Sequence, residues 1–94
     1  MALTKEIVID KIEVLEMGNI QVRAATRVLE DGVQLSQSYH RHVLSPSIKN
    51  GDTWGDTDIS GEDARVQAVA NATWTAEVKT AFQEQQDAQE LPGE

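Results

Sequence analysis

The sequence contains no cysteine, and only four of its 94 residues are aromatic. The lack of cysteine excludes a disulfide framework and a thiolate site. The length predicts a single small domain, residues 1–94, which buries only about 60–65% of the surface that its unfolded chain exposes. Since the core must be small and is built mainly from Val, Ile, Leu and Ala, we expect oligomerisation to stabilise the fold.

Basic residues and long apolar runs are scarce as well. Eight Lys and Arg stand against sixteen Asp and Glu, a net charge of -8, which repels a phosphate backbone and predicts no nucleic-acid partner. No stretch approaches the roughly 20 apolar residues of a membrane span, and the N-terminus lacks the pattern of a signal peptide. The sequence therefore predicts synthesis in a cytoplasm and no membrane span.

The clearest structural signal is a β-hairpin over residues 20–44. Asp31-Gly32 lies between two alternating segments, and this dipeptide favours a type I′ turn because both central residues need positive φ. With Glu30 opposite Val33, the expected core face pairs Val28 with Leu35, Thr26 with Gln37, Ala24 with Tyr39, Val22 with Arg41 and Ile20 with Val43. The opposite face then pairs Arg27 with Ser36, Ala25 with Ser38, Arg23 with His40 and Gln21 with His42.

A further strand is predicted before this hairpin. The alternation of apolar residues slips by one at Asp10-Lys11, which is typical of a β-bulge. A three-residue loop ending at Gly18 places Val14 opposite Ile20 and Ile12 opposite Val22. After the bulge, Ile9 is expected opposite Thr26 and Ile7 opposite Val28. The result is a three-stranded antiparallel β-meander over residues 5–45.

The second half of the chain predicts a long loop followed by helix, which makes the fold class α+β. Residues 46–60 are rich in turn formers and contain Trp54, whose position indicates that it docks onto this subunit or a neighbour. The segment 60–63 resembles a helix N-cap followed by acids, and residues 61–90 form a helical segment with a polar tail. One kinked helix and two short helices, the second capped by Thr75, are both open. Residues 91–94 stop the helix.

Few side chains suggest chemistry. His40 and His42 lie two apart on a strand, so both face one side and can ligate a metal if a carboxylate from the 52–63 loop approaches. The alternative is a pair of surface or interface histidines. Asp56 and Asp58 begin a pattern similar to a calcium loop, but its twelfth position is Gln67 where a bidentate Glu is needed. We predict no catalytic residues, no enzyme activity and no bound cofactor or metal.

Charge is segregated along the chain, which predicts an interaction surface. The expected outer face of the hairpin is basic, whereas the 52–63 loop concentrates acids. We hypothesise that the acidic loop of one subunit, or of another protein, meets this basic face on the next. The predicted interface residues are Arg23, Arg27, His40, His42, Trp54, Asp56 and Asp58.

Several segments together resemble a group of small proteins encoded by tailed bacteriophages. These segments are 5–13 (KEIVIDKIE), 20–23 (IQVR), 30–33 (EDGV), 39–46 (YHRHVLSP) and 60–63 (SGED). The resemblance covers most of the chain and implies a virion component of the tail, baseplate or fibre region, present in repeated copies and in contact with other virion proteins. It implies no catalytic residue.

Two classes of function follow. The first is a structural or adaptor protein of a phage particle, made in the host cytoplasm and located in the virion. The second is a small acidic host-directed binding protein, an inhibitor or a DNA mimic, for example an acidic inhibitor that imitates the phosphate charge of DNA. A DNA mimic needs a continuous array of carboxylates, and basic residues interrupt the predicted sheet.

Overall fold

The computed structural model describes residues 2–89 and has the α+β architecture that the sequence predicts. A three-stranded antiparallel sheet in the order β1-β2-β3 is followed by a two-stranded sheet and two helices. The elements are β1 (Leu3–Val14), β2 (Ile20–Glu30), β3 (Val33–Leu44), β4 (Ser47–Asn50), β5 (Thr53–Asp56), α1 (Ala64–Thr73) and α2 (Ala76–Gln89).

Both turns of the meander form as their glycines predict. Gly18 has φ +91°, and the backbone of Leu15 bonds to that of Asn19 across the loop, N to O, at 2.8 Å. Asp31 and Gly32 have φ of 51° and 85°, the positive pair that a type I′ turn requires. The two turns therefore fix the order of the three strands.

The slip in β1 is a β-bulge at Asp10, as predicted, but the register beyond it differs by two residues from the expectation. Val14 pairs with Ile20 and Ile12 with Val22, both as predicted. Ile9 pairs with Ala24 instead of Thr26, and Ile7 with Thr26 instead of Val28. The extra residue lies in β1, so the partner positions move toward the start of β2.

A second bulge, in β3, overturns the predicted pairing of the hairpin. Leu29 pairs with Gln34 but Val28 pairs with Ser36, so Leu35 is the extra residue. The side-chain period of a strand is two, and a slip of one residue therefore exchanges the two faces of β3 relative to β2. From Ser36 onward, every cross-strand pair expected from the turn is displaced by one position.

The 46–60 segment is more ordered than a long loop. It contains the β4–β5 hairpin, in which Lys49 pairs with Trp54 and Asn50 with Thr53, and Gly51 at φ +64° lies in the turn. Turn-forming residues dominated the sequence pattern because each strand has only four residues.

The C-terminal half folds as two helices, one of the two open alternatives. Asp63, and not Ser60, caps α1: its side chain accepts a hydrogen bond from the backbone N of Arg65 at 2.8 Å. Thr75 Oγ1 accepts from the backbone N of Val78 at 3.2 Å, as expected of a cap for α2. The polar run after Phe82 is helical through Gln89. The predicted helix stop at 91–94 lies outside the described residues.

The core lies between one end of the meander and the two helices. Its buried centre consists of Ile20, Val22, Val66, Ala70 and Trp74, flanked by Ile9, Ile12, Leu44, Ile59, Val69 and Val78. Trp74 Nε1 donates to the carbonyl O of Gly18 at 2.7 Å, which ties α1 to the first turn of the meander. Helix packing therefore covers the sheet only as far as Ile9.

Beyond Ile9 the meander continues as a projecting arm, here defined as residues 3–8, 25–30 and 33–39. On the face that continues the core, Leu3, Ile7 and Val33 are 63%, 65% and 65% exposed. The molecule is correspondingly elongated, with principal extents of 62 × 30 × 22 Å. Within residues 2–89, no residue of the arm belongs to the buried core cluster or to the side chains packed against it.

Candidate interaction surface

The residues predicted to form one basic surface lie on opposite faces of the sheet. Arg23 pairs with Arg41, whereas His40 and His42 pair with Ala24 and Val22 on the core side. The prediction that His40 lies opposite Arg23 is wrong, as is the placement of Arg41 on the core face. The cause is the bulge at Leu35, which nothing in the alternation of β3 reveals.

The face opposite the core carries Arg23, Arg27, Gln37, Tyr39 and Arg41, and is here called the arginine face. Arg23 bonds Asp10 through two nitrogens, Nε to Oδ1 at 3.0 Å and Nη2 to Oδ2 at 2.8 Å. The Arg23 guanidinium also lies 4.3 Å from the centre of the Tyr39 ring, a cation–π contact. The bulge that turns Asp10 out of register thus supplies the carboxylate that orients Arg23.

Hydrogen bonds continue along the arginine face toward the arm. Arg27 Nε donates to Gln37 Oε1 at 2.7 Å, and Gln37 Nε2 donates to the Tyr39 hydroxyl oxygen at 2.7 Å. Arg27 also lies 3.5 Å from Glu6. Ala25 is fully buried and pairs with Tyr39. Because Asp10 and Glu6 neutralise Arg23 and Arg27, the two arginines predicted for the interface, this face is less basic than the sequence indicates.

Sequence reasoning missed Gln37 and Arg41 and placed Tyr39 on the wrong face. No turn residue or change of alternation marks Leu35 as a bulge, since serine and glutamine on either side tolerate both faces. The signal that was available is Arg41 itself, a permanent cation in a row assigned to the core.

The Asp10–Arg23 pair makes stability depend on pH. The hydrogen bond from Arg23 is the main cause that lowers the pKa of Asp10, and the same bond raises the pKa of Arg23. The Asp58 carboxyl also has a lowered pKa, because the backbone N of Ser60 donates to it, and the pKa of Asp87 is lowered first by Lys49 and then by Trp54.

We expect Asp10→Asn to destabilise the protein at pH 7 and to have little effect near pH 2. A carboxyl whose pKa is lower in the folded chain stabilises it above the unfolded pKa, about 3.9, and loses that contribution as the pH falls through the folded value. Urea unfolding of both proteins between pH 7 and pH 2 measures the difference. A difference that stays constant over this range would contradict the assignment.

The histidine pair contacts the segment before α1. His42 Nε2 lies 2.9 Å from Glu62 Oε1, and the rings of His40 and His42 are 6.4 Å apart. A carboxylate from the 52–63 loop therefore approaches the pair, as the metal alternative required. Within residues 2–89, however, no group of three His, Asp or Glu side chains is placed to hold a metal ion.

Trp54 docks within its own subunit. Its ring meets Phe82 edge to face, with centroids 6.0 Å apart, and its Nε1 donates to Asp87 Oδ2 at 3.3 Å. Lys49 Nζ bonds the other oxygen of Asp87 at 3.0 Å and lies 5.5 Å from the centre of the Trp54 ring. These contacts hold the β4–β5 hairpin against α2, so Trp54 docks onto its own subunit, and its role in an interface stays a prediction.

The two acids predicted for the interface have partners of their own. Asp56 Oδ1 bonds Lys79 Nζ at 3.0 Å, and Asp58 Oδ1 accepts from the backbone N of Ser60 at 2.9 Å. Asp58 thus closes a local turn, and Asp56 links β5 to α2. The Asp56 side chain is 80% exposed, so it can still meet a partner.

Comparison with known proteins returned no match: no family model, no curated protein and no solved structure corresponds to this chain. In the part of the chain that the structure describes, neither helix is long and apolar enough to cross a membrane.

Proposed function

We propose that this protein is a structural or adaptor component of a tailed-phage particle, and that its arm makes protein–protein contacts in the tail, baseplate or fibre region. The observation that carries the proposal is the uncovered arm. A three-stranded sheet is stable when a hydrophobic face packs on something, and here Leu3, Ile7 and Val33 are exposed. These side chains lie on one face of the arm, with Lys5 and Glu30 between them, and exposed apolar surface rimmed by polar residues is typical of interaction sites.

The position in a phage particle is inferred from the segments that resemble small proteins of tailed phages. Among the described residues the side chains argue for contacts and not for chemistry, since the arginine face is occupied by Asp10, Glu6 and Tyr39. Other virion proteins are therefore the proposed partners of the arm. The competing function is that of an acidic host-directed inhibitor. The feature that favours it is the net charge of the protein, -8.

Incorporation into particles tests this function. Particles of the encoding phage should contain the protein at a fixed stoichiometry by quantitative mass spectrometry. Ile7→Glu should reduce incorporation at least about tenfold, because an unpaired carboxylate buried in an interface costs more than the roughly 1.4 kcal/mol that this factor represents. Ile7 is exposed, so the isolated protein should keep its stability.

Ile48→Glu is the matched control, since Ile48 is an exposed isoleucine on β4, outside the arm. Equal incorporation of the two variants would contradict the role of the arm. Absence of the protein from particles, together with its recovery on a host protein, would favour the inhibitor.

A further inference from the structure

The two edges of the three-stranded sheet differ in how they are protected against another strand. β1 carries five charged residues, namely Lys5, Glu6, Asp10, Lys11 and Glu13, as well as the Asp10 bulge, and Arg65 Nη2 donates to the carbonyl O of Ile9. Charges, bulges and side-chain covers are the devices by which proteins block strand addition. β3 has a bulge as well, at Leu35, but the edge that follows it over residues 36–44 contains a single Lys, Arg, Asp or Glu, which is Arg41.

Among the described residues 2–89, the backbone of β3 presents hydrogen-bonding groups without a strand partner on every second residue. Asp31 N donates to Ala2 O at 3.0 Å, so odd-numbered residues of β2 bond to β1 and even-numbered ones bond to β3. Ala24 and Thr26 pair with His40 and Ser38, whose backbone groups therefore point inward. The N–H and C=O groups of Gln37, Tyr39 and Arg41 face outward along the edge.

The order of side chains on this edge is self-complementary about Tyr39. Leu35, Tyr39 and Val43, spaced four residues apart, are 56%, 46% and 55% exposed. If Tyr39 is opposite Tyr39 of a second, antiparallel β3, Gln37 meets Arg41 and Ser38 meets His40, while Leu35 and Val43 come together at the ends. This register places no two Lys or Arg side chains directly opposite each other.

We propose that β3 pairs antiparallel with β3 of a second copy of this chain, around a two-fold axis at Tyr39, to form one continuous sheet from the three strands of each copy. Each outward-facing pair exchanges two backbone bonds, about six over Gln37, Tyr39 and Arg41. A two-fold contact of this kind is closed, so it yields a dimer and leaves the protected β1 edges outermost.

The second copy is preferred over an unrelated strand because this register brings the exposed apolar residues Leu35 and Val43 together and places no like charges opposite each other. The dimer assigns one edge of the meander to self-association. Its biological meaning rests on the assembly role proposed above. The exposed face of the arm stays available to other virion proteins. The purified protein tests the dimer, whereas particle content tests the assembly role, so either can fail alone.

A single cysteine tests the register, because the natural chain has none. In the proposed dimer, Tyr39→Cys places two Cα atoms about 5.5 Å apart, within disulfide range, and mild oxidation should cross-link most of the protein. Gln37→Cys is the matched control on the same edge and face. Its two copies lie four residues apart along the strand, about 13 Å, beyond the roughly 7 Å limit for a disulfide.

Light scattering of the natural protein completes the test, since it requires no substitution. We expect the mass of a dimer for the natural protein, and a cross-link in the Tyr39→Cys variant only. A monomeric mass at protein concentrations up to about 1 mM would overturn the proposal. A dimer that cross-links equally in both variants, or only through Gln37→Cys, would overturn the register and its two-fold axis.

Discussion

Gly18→Ala is expected to destabilise the fold by about 2–5 kcal/mol, a large share of the 5–15 kcal/mol typical of a domain. Gly18 has φ +91°, and a Cβ there would lie 2.7 Å from Val78 Cγ1 and 3.1 Å from Pro46 Cγ. Both a left-handed backbone and a steric clash with α2 therefore oppose the methyl group. Urea unfolding followed by circular dichroism measures the loss.

Gly32→Ala separates these two causes. Gly32 has a similar φ of +85° in the hairpin turn, but a Cβ there meets nothing within 4 Å. Gly32→Ala should therefore lower the free energy of unfolding only by the cost of a left-handed backbone at alanine, about 1–2 kcal/mol. If the two glycines proved equally sensitive, the close approach of α2 to the first turn would have no energetic weight.

Trp74→Ala is expected to cost about 3–5 kcal/mol, the range for truncating a large aromatic side chain in a core. Trp74 is 9% exposed and packs in the buried cluster between α1 and the sheet. Its indole also satisfies the Gly18 carbonyl at 2.7 Å, a buried bond. Urea unfolding followed by circular dichroism should show this loss of packing and hydrogen bond as a lower transition midpoint.

Trp74→Phe removes the hydrogen bond with a smaller loss of packing than Trp74→Ala. It keeps an aromatic ring but leaves the Gly18 carbonyl without its donor, at a cost of about 1–3 kcal/mol. The matched control is Trp54→Phe, because Trp54 donates to Asp87 at an exposed site and the carboxylate can bond water instead. This change should cost less than about 1 kcal/mol. If Trp74→Phe and Trp54→Phe lowered the free energy of unfolding equally, the hydrogen bond from Trp74 to Gly18 would make no special contribution to stability.

The sequence was sufficient for the order of the three meander strands, both of their turns and the position of the helical segment, but it missed the β4–β5 hairpin. Local chemistry decides these features. Gly18 and the Asp31-Gly32 pair fix backbone angles that few residues adopt, and Thr75 supplies a cap that breaks one helical pattern into two.

The interaction surface depended on the tertiary structure. One extra residue at Leu35 moves His40 and His42 to the core side and Tyr39 to the arginine face, yet it leaves the alternation of β3 unchanged. Trp54, Asp56 and Asp58 find partners inside the subunit, and for Trp54 and Asp56 these partners lie more than 20 residues away. Spacing along the chain determines which residues belong to one strand or helix. Register and long-range packing determine which side chains lie on one face of the sheet, because a slip of one residue costs little locally and moves every following side chain of the strand to the other face.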